Sequence, residues 1–90
     1  MLQEVAVVIG KLEAIQGKTS DEEFANRYFG GIARQTWAAY KSGLRDISLE
    51  FVGMVWVSFP ELHIPIQLAL EEIGKNKINS SSMTDKVGSK

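Results

Sequence analysis

Cysteine is absent from this 90-residue chain, which excludes disulfides and thiolate metal sites and makes a reducing, cytoplasmic setting the natural expectation. There is a single histidine, His63, and one imidazole cannot build a metal site. Lying beside Pro60 and Pro65, it reads as a loop residue. Long apolar runs are also missing: Val5–Ile9 is too short to span a bilayer, and no basic stretch precedes it. No glycine-rich phosphate loop is present, and the clustered acids, Asp21-Glu22-Glu23 and Glu71-Glu72, suit a helix start and a solvated helix face. The expectation is a protein with no catalytic residues, no metal, no cofactor, no small-molecule substrate and no membrane segment. A charge of one sign is lacking too. The net charge is −1, and between positions 17 and 48 five bases (Lys18, Arg27, Arg34, Lys41, Arg45) face four acids (Asp21, Glu22, Glu23, Asp46). A nucleic-acid binder so balanced would neutralise few phosphates.

What is present suffices for one compact domain with a modest core: 44% apolar residues, two tryptophans and four phenylalanines. Leu2, Val5, Ile9 and Leu12 recur at helical intervals, predicting a first helix that ends near Gly17, although Val5–Ile9 alone also fits a strand. Thr19 or Ser20 before Asp21-Glu22-Glu23 supplies an N-cap with a capping-box glutamate, and Phe24, Ala25 and Tyr28 give the inward face of a second helix. Gly30-Gly31 stops it. A third helix is expected over 33–42, and Ser48 is a plausible cap for a fourth. That fourth helix is apolar on nearly all sides and central to the core, with Leu49, Val52, Trp56 and Phe59 as its stripe; a buried strand over Val55–Phe59 competes with it. Pro65 fits the first position of a last helix running to about Gly74, with Ile66, Ala69, Leu70 and Ile73 as its stripe. Ile64 and Leu68 form a second apolar spot, a candidate dimer surface whose alternative is packing against the first helix. Residues 75–90 read as a flexible polar tail beyond a domain covering 1–74.

The segment 31–43 carries the most information. On a helical wheel Trp37 and Tyr40 share one face with Ala33, while Gln35, Ala38, Ala39 and Ser42 cover the opposite one and Arg34 and Thr36 sit on the shoulders. Small residues at 38 and 39 keep the outer face slim. Such a helix could lie in the major groove of B-DNA with its longer side chains touching the base edges.

Gly31-Ile32-Ala33-Arg34-Gln35-Thr36-Trp37, followed by Tyr40 and Gly43, resembles the helix-turn-helix of phage Cro and CI-type (XRE-like) repressors. Ala25 in the second helix, Gly31 at the turn and Ser48-Leu49-Glu50 at the next helix start extend the likeness over about 12–59. It departs from the family in three places: Gly31 lies six positions after Ala25 rather than four, Ala33 replaces the usual hydroxyl cap of the recognition helix, and Lys41 stands where Glu is usual. The first departure implies a longer turn or a longer second helix. The resemblance implies an all-α compact bundle of about five short helices, a possible homodimer, in which Arg34, Gln35, Thr36 and Ala39 face the bases. Arg34 would suit guanine O6 and N7, Gln35 adenine N6 and N7, and Thr36 a thymine methyl or a phosphate. Lys18, Thr19, Ser20, Lys41 and Arg45 are the expected phosphate contacts. The function expected is a sequence-specific double-stranded DNA-binding transcriptional regulator of phage or mobile-element type, whether repressor, activator or self-repressing antitoxin. A helical protein-interaction module without DNA binding is the alternative.

Overall fold

The computed structural model describes residues 1–30 and 32–89, with side chains described as far as Asn79; Gly31, expected at the turn, and Lys90 lie outside the described residues. Five helices follow one another: α1 (Gln3–Gln16), α2 (Asp21–Tyr28), α3 (Arg34–Ser42), α4 (Leu49–Ser58) and α5 (His63–Ser89), with a 3-10 turn at Pro60–Leu62 before the last. No strand occurs among the described residues: Val5–Ile9 lies in α1, and Val55–Ser58 closes α4 with Phe59 just beyond it. The all-α reading holds.

Local chemistry accounts for most boundaries. Ser20 caps α2 by accepting a hydrogen bond from the Glu23 amide at 3.2 Å, and Ser48 caps α4 by accepting from the Phe51 amide at 3.1 Å. Glu23 turns its carboxylate toward Arg27, 3.9 Å away on the next turn. Ala33 offers α3 no side-chain cap, as its identity dictates, and α3 begins at Arg34 rather than 33. Gly43 closes α3 in the left-handed conformation (φ 78°), its amide donating to the carbonyls of Ala39 and Tyr40. The long interval between Ala25 and Gly31 lengthens the connection rather than α2, which stops at Tyr28. Within that connection Phe29 is completely buried, and the Ile32 amide donates back to its carbonyl at 3.2 Å.

Aromatic rings fill the centre. Phe29 lies 5.2 Å from Trp37 and 4.8 Å from Phe51, and Tyr40 lies 4.6 Å from Phe51 between ring centroids. Around them pack Val5, Val8, Ile9 and Leu12 of α1, Leu62 of the 3-10 turn, and Ile66 and Ala69 near the start of α5. α1 and α5 pack side by side, and Glu72 of α5 accepts a 2.7 Å hydrogen bond from the Glu4 amide, capping the N-terminus of α1 from across the fold. Glu72 is therefore not simply a solvated charge.

Several expectations are corrected. The core line of α4 is Phe51 and Val55, continued by Phe59, not one beginning at Leu49, which is 83% exposed. An all-round apolar sequence gives periodicity no face to lock onto, and contacts of Phe51 with Phe29 and Tyr40 select the inward one. In α5, Ile66 and Ala69 carry the buried stripe, continuing from Leu62 in the 3-10 turn, while Leu70 is 42% exposed. α5 begins at His63, placing Pro65 in its first turn, where a missing amide proton costs no internal hydrogen bond. It continues past Gly74 to Ser89, with Lys75 and Glu71 paired at 2.9 Å across that glycine. His63 is not in a loop: its ring stacks on Trp56 at 3.6 Å, and its Nε2 lies 2.8 Å from the Trp56 carbonyl.

Candidate nucleic-acid interface

α2 and α3 are consecutive and packed together, and their N-terminal ends flank an open depression lined by Ser20, Asp21, Glu22, Arg34, Gln35 and Ala38. Arg34, Gln35 and Ala38 are exposed, and Thr36 and Ala39 are half-buried. Ala33, assigned by the wheel to the inner face, is exposed too, because it precedes the helix. Trp37, completely buried, and Tyr40 anchor α3 from behind. Of the four side chains expected at the bases, Arg34 and Gln35 thus project at one helix end, Ala39 lies partly covered, and Thr36 has a partner of its own. Arg45 Nη1 donates to Thr36 Oγ1 at 3.3 Å.

The expected phosphate contacts divide in the same way. Lys18 is exposed, and Thr19 is half-buried with its carbonyl accepting from Gln16 Nε2 at 2.8 Å. The Ser20 hydroxyl oxygen accepts from the Glu23 amide, which leaves its proton to donate. Arg45 is exposed and lies beside Thr36. Lys41 is occupied: its Nζ sits 2.6 Å from Asp21 Oδ1 and 5.4 Å from the centroid of the Trp37 ring. Asp21, which would otherwise repel an approaching phosphate, is therefore partly neutralised by a base from the neighbouring helix.

Sequence reasoning missed the group that ties these helices together. Gln16, the last residue of α1, is only 8% exposed, and its Oε1 accepts a 2.9 Å hydrogen bond from the buried indole Nε1 of Trp37. Its amide nitrogen donates to Thr19 O and, at 2.7 Å, to Asp21 Oδ1. The signal was available: Gln16 extends the Val5, Ile9, Leu12 stripe by one more helical step, and a polar residue there must find partners inside.

The Lys41 ammonium, then the Gln16 amide, hold the Asp21 carboxyl below its ordinary value of 3.8, with Arg34 adding a smaller favourable field. A depressed folded-state pKa stabilises the fold fully above the unfolded value and loses that contribution as pH falls through the folded one. Acid titration of Asp21→Asn should accordingly show less loss of stability below about pH 4 than the wild type. Coincident acid limbs in urea titrations would contradict the Asp21 assignment.

Ile64 and Leu68, the candidate dimer residues, are 66% and 46% exposed on α5. Among the described residues no group of histidine or acidic side chains could hold a metal ion, and no helix is long and apolar enough to cross a membrane. No protein-family model, curated protein or solved structure matches the chain.

Proposed function

We propose that the chain is a sequence-specific double-stranded DNA-binding regulator of transcription, in which α3 enters the major groove with Arg34 and Gln35 foremost. The observation that carries this reading is the contrast along α3: buried aromatics behind, and two exposed, hydrogen-bond-rich side chains at its leading end beside α2. Those two side chains have the donor and acceptor geometry for a guanine and an adenine edge. Ala38 keeps the outer flank thin enough for groove entry. The resemblance to Cro and CI-type repressors supports a homodimer on two half-sites about one helical turn apart, with operator occupancy itself as the regulatory act in the cytoplasm of a phage or mobile-element host.

With Lys41 engaged by Asp21, phosphate attraction falls mainly to Lys18 and Arg45. The slope of log K against log salt should therefore be shallow, about −2 per protomer. A mobility-shift assay on mixed genomic fragments at low salt should retain a subset of fragments and show that slope. No retained fragment at micromolar protein would sink the proposal. That outcome would favour the second reading, a protein-interaction or antitoxin-like module, which the exposure of Leu49, Val57, Ile64 and Leu68 on α4 and α5 supports.

A further inference from the structure

We propose that Gln16 is the positioning residue of the α2–α3 unit, a two-sided hydrogen-bond hub that fixes the rotation of α3 against α2 and draws the Asp21–Lys41 pair back against the protein. One side chain at the end of α1 grips both of the other helices. Its carbonyl oxygen takes the indole proton of Trp37 in α3 at 2.9 Å, and its amide nitrogen reaches Asp21 at the head of α2 at 2.7 Å. Asp21 passes the connection back to α3 through Lys41 at 2.6 Å, closing a ring of four side chains of which the Trp37 indole is one.

Packing alone leaves α3 under-determined. It has nine residues, too few for a stable helix by itself, and Ala33 gives it no cap. Its apolar anchors, Trp37 and Tyr40, are non-directional contacts that resist withdrawal better than rotation. Hydrogen bonds are directional, and the indole N–H, sealed from water, is costly to leave unpaired. Among the described residues its acceptor is Gln16. The same amide determines where Lys41 points, because a single carboxylate oxygen, Asp21 Oδ1, accepts from both Gln16 and Lys41. Displacing Gln16 would leave Asp21, which lines the depression with Arg34 and Gln35, held by Lys41 alone. The consequence for DNA rests on the function proposed above; the mechanics of the hub do not.

The test uses the full chain and Gln16→Met, which keeps length and flexibility but removes both hydrogen-bonding ends. Amide hydrogen exchange should rise about 10- to 100-fold in α3 and at the start of α2, as for a buried donor left unpaired, while α1 and α5 keep wild-type protection. The Trp37 indole proton resonance should move, and the Asp21 carboxyl, followed by NMR, should titrate closer to its ordinary value of 3.8. Asp21→Asn, which retains an acceptor oxygen for Gln16, should leave the indole resonance near its wild-type position. Should Gln16→Met not fold, Trp37→Phe serves, since it removes the donor while keeping an aromatic ring: it should raise exchange in α3 selectively. Unchanged α3 protection in these variants, or a uniform rise in all five helices, would overturn the proposal. A wild-type chain that selects no DNA sequence would remove the base-reading role of α3 but leave the hub standing, because neither exchange nor indole measurement involves DNA.

Discussion

Replacing Trp37 with alanine is expected to cost about 3–5 kcal/mol for the lost ring alone, against total stabilities of roughly 5–15 kcal/mol for domains of this kind. The ring is fully buried and touches the aromatic system from three directions, with Phe24 at 5.6 Å, Phe29 at 5.2 Å and Phe51 at 6.1 Å between centroids. Its removal opens a cavity where α1, α2, α3 and α4 converge. It also strips the buried Gln16 Oε1 of its donor, adding a polar penalty of about 1–3 kcal/mol. Urea melts should show a midpoint far below that of the wild type, or no cooperative transition at all. A change under about 1 kcal/mol would mean that the aromatic centre is not what holds α3 in place.

The second large effect concerns affinity rather than stability. Arg34→Ala/Gln35→Ala removes two exposed side chains, so its circular dichroism and urea midpoint should stay near those of the wild type. If each forms a two-pronged base contact worth about 1–3 kcal/mol of discrimination, the ratio of affinities for a selected duplex and a scrambled one should fall by at least about 30-fold. Residual binding should remain, because phosphate contacts from Lys18 and Arg45 are untouched. An unchanged ratio would contradict the assignment of these two residues to the bases. Equal loss on both duplexes would instead make Arg34 a phosphate contact.

The fold was legible wherever a local signal and an apolar period agreed. Ser20 and Ser48 act as caps at the expected positions, Gly43 ends α3, and Trp37 and Tyr40 point inward. Legibility failed where the sequence is apolar without contrast. In α4, where Leu49, Phe51, Val52, Met54, Val55, Trp56 and Val57 crowd ten residues, no face stands out by hydropathy, and the buried choice of Phe51 over Leu49 follows from tertiary contact with Phe29 and Tyr40. Phe29 was hidden for a related reason. It lies in a connection, outside any periodic segment, and its burial depends on the chain turning back at Gly30, whose φ of 60° suits glycine.

The candidate site was legible in its exposed half only. Side chains such as Arg34 and Gln35 announce themselves by type and place on a wheel, whereas the Gln16–Asp21–Lys41 linkage joins residues up to 25 positions apart across three helices. Lys41 illustrates the limit most clearly. As a sequence feature it was a free cation on the last turn of a recognition helix; in the fold it is the counter-ion of Asp21 and a lid on the Trp37 ring.

Selection from a pool of random-sequence duplexes, carried out with the wild-type chain at low salt, bears most directly on whether the exposed tip of α3 recognises base edges. Enrichment of one defined sequence is expected, with guanine and adenine at adjacent invariant positions and, for a dimer, an inverted repeat spaced by about one helical turn. A bound fraction with the same base composition as the starting pool, or no bound fraction, would contradict it.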